Sequence, residues 1–247
     1  MKELQEKVFN LLKASTDTKT YETIKTKKEL PPFSSVNHAM AYLLSKNIIS
    51  YADYISYSDD YMVRNSKNRY LYLFEMAPRT FGQTWGEEHI RKLFPDFERA
   101  TKSNLKYAYP AFDGEFDLWY KGIRVEVKAC RANSDKTKGS LSSRAYTHDE
   151  ARKARFKYHY QQLKPSCCDV FIWIGACRDE LLYWVLSSKE LLNSGKLGPQ
   201  HRNENTGNNT AEVFEGQVFM TEEELKPFLV EEANILDCVV SKFKSLT

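Results

Sequence analysis

The 247-residue chain carries 36 Lys and Arg against 33 Asp and Glu, a formal net charge of +3, and 42% of its residues are hydrophobic. That length allows one large domain or two modest ones, and the balance of charge and apolar content is ordinary for a soluble globular protein. An aromatic share of 13%, led by 15 tyrosines, excludes a disordered chain, and no apolar run approaches the roughly 18 residues of a membrane span.

The N-terminal MKELQEKVFN has charges scattered through it and no apolar signal-peptide core, which predicts a cytoplasmic protein. The cysteines agree. Cys130, Cys167, Cys168, Cys177 and Cys238 are odd in number and form no C-x-x-C pair, so neither a disulfide framework nor a zinc knuckle is indicated.

In chain order, Leu4, Val8, Leu11 and Leu12 share one face of a first helix over 2–13. A second helix is expected over 21–30, stopped by Pro31 and Pro32. Ser34 or Ser35 can cap a third, SSVNHAMAYLLSKN. Two tyrosine-rich segments, IISYADYI and RYLYLFEM, read as strands joined by a polar loop. Three helices and a hairpin make a winged-helix pattern for residues 1–77. Its third helix would enter a DNA major groove and expose Asn37 and His38.

Beyond a boundary at 77/78 the pattern becomes mixed. A helix is expected from about Phe81 to Phe94, then strands FDLWYK and IRVEVKAC around a Lys121-Gly122 turn. A helix over 149–163, buried strands DVFIWIGAC and LLYWVL, and a short helix near Ser187 follow. Strand GQVFMT leads to a helix capped by Thr221, with Glu224 completing a capping box. The fold class expected is α/β (α+β), a mixed sheet covered by helices on both faces.

The informative stretch is FDGEFDLWYKGIRVEVKACRA, residues 112–132. Strand alternation puts Glu126 and Lys128 on one face, and a tight hairpin can bring Asp117 alongside Glu126. Two carboxylates at a strand crossing can hold Mg²⁺ through hard oxygen ligands. A lysine beside them can orient an attacking water. Those are the parts that phosphodiester hydrolysis needs.

Here the chain resembles the PD-(D/E)XK nuclease superfamily: Asp117, then eight residues, then Glu126-Val127-Lys128, with Phe116 in the place of the motif's proline. The resemblance implies that Asp117 and Glu126 bind the metal and that Lys128 assists the nucleophilic water. It also implies a glutamate on the helix before the hairpin. Of Glu87 and Glu88, Glu87 is the choice if Ile90, Leu93 and Phe94 face the sheet. Asp113 and Glu115 are alternatives for the aspartate's role.

Residues 131–157 hold eight Lys or Arg and three acids. Arg131, Lys136, Lys138, Arg144, Arg152, Lys153 and Arg155 are candidate phosphate contacts. In the polar segment 198–212, Gln200, Arg202, Asn203 and Asn205 are candidate base contacts. The five histidines show no metal-ligand spacing, and no G-x-x-x-x-G-K-[ST] loop exists, which argues against an H-N-H nuclease and an ATP-driven motor.

The function expected is a type II restriction endonuclease that cuts double-stranded DNA with Mg²⁺ and leaves 5′-phosphates. A cognate DNA methyltransferase would be its genetic partner, and a homodimer or a sequentially nicking monomer fits the length. Alternatives are a structure- or modification-selective repair nuclease and a non-catalytic winged-helix regulator.

Overall fold

The computed structural model describes residues 2–25, 35–57, 66–200 and 215–246, without the side chains of residues 2–5, 35–37 and 83. The chain divides into two compact units, Met1–Arg69 and Tyr70–Thr247. The expected boundary lay at 77/78. Residues 70–77 belong instead with the larger unit, where Leu73 and Phe74 are buried.

The smaller unit is helical. Helices α1 (Lys2–Ser15), α2 (Thr18–Lys25) and α3 (Ser35–Ser45) bury Val8, Leu12, Ile24, Ala39, Met40, Leu43 and Ile49 in a small core. The apolar residues of α1 and α3 recur at helical spacing, as expected. The hairpin does not form: residues 51–57, which overlap the expected first strand at 48–55, are a helix, α4. Its start explains why. Ser50 Oγ donates to Asp53 Oδ2 at 2.6 Å, and the Ser50 and Asp53 N–H groups donate to each other's side chains, both at 3.1 Å. That reciprocal pair is a capping box in all but its acid's length. The expected second strand lies in the other unit as a 3-10 turn, Leu71–Phe74. No strand occurs among the described residues of the smaller unit, so the winged-helix expectation is corrected. Of the expected polar connection at 56–68, residues 56–57 end α4, Ser66–Asn68 form a 3-10 turn, and 58–65 lie outside the described residues.

The larger unit is built on a six-stranded mixed sheet of order β1-β2-β3-β5-β6-β9. Its strands are β1 (Glu98–Arg99), β2 (Leu118–Tyr120), β3 (Ile123–Arg131), β5 (Val170–Ala176), β6 (Leu181–Ser187) and β9 (Leu229–Val230). β3 and β5 are parallel, and the other neighbours are antiparallel. A second, three-stranded sheet is ordered β4-β8-β7, from β4 (Lys157–Leu163), β7 (Gly198–Pro199) and β8 (Gly216–Thr221).

The central strands β5 and β6 are buried at every position, which is why VFIWIGA and LLYWVL read as continuous apolar runs. One face of the main sheet packs Val125, Val127, Ile172, Ile174 and Val185 against Ile90 of α5 (Gly86–Leu93) and Ile235 and Val239 of α9 (Ile235–Lys244). The other face packs Phe171, Trp173, Trp184 and Leu186 against Tyr158 and Tyr160 of β4 and Val218 and Met220 of β8. The main sheet is mixed and flanked by helices, as expected, but on the second face the small sheet is interposed, and helical Ala151, Leu191 and Leu225 join the same core. Gly175 makes that packing possible. A Cβ there would lie 2.6 Å from the Trp184 ring and 2.7 Å from Tyr158.

The helix expected over 149–163 is also shorter. Thr147 and Glu150 form a capping box for α6 (His148–Lys153), Arg155 takes a left-handed φ of 51°, and β4 follows. Alternating buried Tyr158 and Tyr160 with exposed or half-buried Lys157, His159 and Gln161 has the period of a strand. Helices α7 (Ser188–Asn193) and α8 (Glu222–Leu225) carry the capping boxes Ser187/Glu190 and Thr221/Glu224, the latter as expected. The His148 ring then ties α6 to its neighbours, with Nδ1 2.9 Å from Glu180 and Nε2 2.9 Å from Glu222. Burial works against its charge, but the two carboxylates outweigh burial and raise its pKa.

Candidate active site

The site is assembled by the β2–β3 hairpin. Its turn is Lys121-Gly122, with φ of 47° and 93°, the left-handed pair that a two-residue hairpin connection requires. The register pairs Leu118 with Val125, which sets Asp117 beside Glu126. Three backbone contacts hold Asp117. Its N–H donates to Val125 O at 3.1 Å, its carbonyl accepts from Ala100 N–H at 2.9 Å, and its Oδ2 accepts from Val127 N–H at 2.8 Å.

Glu126 and Lys128 lie on the face opposite Val125 and Val127, and they form an ion pair. Parallel pairing sets them beside Phe171 and Trp173 of β5. Glu126 is only 5% exposed, and an isolated ionised carboxylate at such depth would be costly. Burial raises its pKa, Lys128 pulls it back, and the Asp117 charge raises it again. For Lys128, burial disfavours the charge, but Glu126 and Asp117 outweigh burial and keep it protonated.

Glu87 completes the group from α5. Gly86 lets that helix approach β3 closely, since a Cβ on it would meet Val127 Cγ1 at 3.4 Å and Ala129 Cβ at 3.6 Å. A stack of Trp85, His89 and Tyr183, with centroids 4.9 and 5.9 Å apart, fixes the same helix against β6. Glu87 is thereby turned toward the hairpin. Burial, then repulsion from Asp117, pushes its pKa up to about 7, while Arg99 and Lys128 oppose the shift. Glu88 turns away and pairs with Arg91 at 3.1 Å.

The residues proposed as alternatives stand elsewhere. Asp113 pairs with exposed Lys102 at 2.6 Å, and Glu115 accepts from Asp113 N–H at 2.7 Å. Sequence reasoning missed three contributors. Arg99 Nε lies 3.7 Å from Glu87 Oε2. Lys164 acts electrostatically on Glu126 and pairs with Glu215 at 3.4 Å. Gly86 sets the helix distance. Lys164 was hidden by the mistaken helix over 149–163, whereas Arg99 lies in a two-residue strand that no local pattern announces.

The candidate DNA contacts divide. Arg131 is turned inward: Nη1 donates to Leu73 O and Met76 O at 3.0 and 2.9 Å, and the guanidinium lies 4.5 Å from the Phe81 ring centre. That is a correction, because these bonds close the Leu71–Phe74 turn. Gln200 is likewise buried, accepting from Gln162 N–H at 2.7 Å across a bulge in β4, so it is not placed to read bases. Arg144 Nη1 donates to Ser134 O at 3.1 Å. Arg152 and Lys153 share Asp149. Lys136, Lys138 and Arg155 are exposed. His38 is half-buried on α3. The side chain of Asn37, and Arg202, Asn203 and Asn205 entirely, lie outside the described residues.

Among the described residues, no three His, Cys, Asp or Glu side chains converge closely enough to hold a metal ion as they stand. No helix among them is long and apolar enough to cross a membrane. No protein-family model matches the chain, and no curated protein and no solved structure resembles it.

Proposed function

We propose that the protein is a Mg²⁺-dependent DNA endonuclease of the PD-(D/E)XK kind, acting in restriction. One observation carries this reading: Asp117 and Glu126 of the β2–β3 hairpin and Glu87 of α5 all interact electrostatically with one lysine, Lys128, which pairs with Glu126. The donor set fits the metal. Its oxygens are hard ligands, and two of the carboxylates have raised pKa values from burial and mutual repulsion, a charge excess that a divalent cation would relieve.

Asp117 and Glu126 would hold the ion. Bound there, Mg²⁺ supplies neutralisation of charge at the phosphoryl oxygens and acidifies a water. Lys128 keeps its proton at Nζ, so it orients the attacking water and donates toward the phosphate rather than accepting a proton. Glu87, held by Arg99, aids the same water or ion. Water oxygen bonds to phosphorus, the bond to the 3′ oxygen breaks, and the phosphate stays on the 5′ end.

The test is digestion of plasmid and phage DNA, methylated and unmethylated, with Mg²⁺ and with EDTA. Discrete fragments that need Mg²⁺ are expected. Intact DNA in every lane would overturn the nuclease reading. Nicks confined to branched or mismatched duplexes would replace restriction by repair.

A further inference from the structure

The small sheet has a solvent-facing side that the candidate site leaves unused. Its inner side buries Tyr158, Tyr160, Val218 and Met220. Strand alternation turns Lys157, His159 and Gln161 of β4, and Gln217, Phe219 and Thr221 of β8, to the other side. None of these six side chains is a carboxylate. Phe219 is 50% exposed. It is the register partner of His159, and the two rings stack at 3.9 Å and 14°.

The amides around that stack are oriented. Gln217 Nε2 donates to Pro199 O at 3.0 Å, which turns Gln217 Oε1 toward His159 Nε2, 2.9 Å away. Gln161 Nε2 lies 3.1 Å from the same nitrogen, and the carbonyl oxygen of its exposed amide keeps its capacity for an outside partner.

Just beyond the end of the ribbon Lys164 pairs with Glu215 and acts electrostatically on Glu126. A two-stranded antiparallel ribbon fits the DNA major groove, about 12 Å wide, and glutamine is a bidentate partner for adenine while apolar groups meet the thymine methyl.

We propose that the outer face of the β4–β8 ribbon reads base edges in the major groove, through Gln161 and the Phe219–His159 stack. This rests on the endonuclease reading.

The test is selection from a randomised duplex library in Ca²⁺, followed by sequencing, with wild type, Gln161→Ala and Phe219→Ala. Phe219→Leu, which keeps apolar cover without the ring stack, guards against misfolding, and melting curves check every variant. The wild type should enrich a motif. The variants should lose roughly tenfold of the preference at one or two of its positions while holding unselected duplex as well as before. A motif unchanged in all variants, or duplex binding with no motif, overturns base reading by this face and leaves the nuclease reading standing. No retention of duplex by the wild type overturns both.

Discussion

The two faces of β3 are one residue apart in sequence and opposite in chemistry. Val125 and Val127 point into an apolar layer beneath α5 and α9, with Ile90, Ile235 and Val239. Glu126 and Lys128 point to the side shared with Phe171 and Trp173, where they are nearly as buried but charged. The apolar face is closed and satisfied by packing alone. The other keeps two opposite charges out of water and adds Asp117 and Glu87 at its margin. A buried ion pair is weak evidence for stability, because desolvation offsets much of its attraction. The difference teaches that the apolar face secures the fold by packing, whereas the charged pair on the other face adds little to its stability.

The largest expected effect lies on the charged face. Lys128→Ala should lower cleavage by about 10²- to 10⁴-fold, while retention of duplex in Ca²⁺, judged by gel shift, stays near wild type. Loss of duplex binding as well would make Lys128 a structural residue. Next comes a change on the aromatic side of the sheet but away from the charges. Gly175→Ala forces a methyl within 2.6 Å of Trp184, and overpacking of this kind costs typically 1–3 kcal/mol. The urea midpoint should fall with an unchanged slope. An unshifted midpoint would mean that Trp184 and Tyr158 yield without cost.

The smallest effect is the subtlest. Glu87 has a folded pKa of about 7 against an ordinary value of 4.5, raised chiefly by burial. Between those values the folded protein holds a proton that the unfolded chain has released. Stability contributed by this group is thus fully present below about pH 4.5, falls as pH rises toward 7, and is level above it. Melting temperature in EDTA should fall less across that window in Glu87→Gln than in wild type, with Glu88→Gln unchanged from wild type. Equal curves for all three would show that Glu87 is solvated. The same pair ranks in cleavage: Glu87→Gln should be slowed far more than Glu88→Gln.

Much of the larger unit was legible because its signals are local. The β2–β3 hairpin is announced by Lys121-Gly122 between apolar runs, and α8 by Thr221 and Glu224. Glu87 over Glu88 followed from the helical phase of Ile90. The departures share one cause: local helix start and stop signals override the residue pattern around them. Ser50 and Asp53 begin α4 inside an expected strand, and Arg155, with its left-handed backbone, ends α6 well before the expected stop. What covers the second face of the main sheet was not legible at all. β4 and β8 pair across more than 50 residues of sequence, and no local pattern carries that information.

The parallel pairing of β3 with β5 has a consequence for the order in which the molecule is completed. An antiparallel hairpin closes through two residues, but parallel neighbours need a long crossover, here the chain between Arg131 and Val170. Asp117, Glu126 and Lys128 can therefore be brought together by the hairpin alone, early and cheaply in loop entropy. The residues that bury them, Phe171 and Trp173 among them, arrive only when the crossover has been laid down. Neighbourhood is written in the hairpin, whereas the burial that raises the Glu126 pKa and tightens its pairing with Lys128 is contributed by chain that lies downstream.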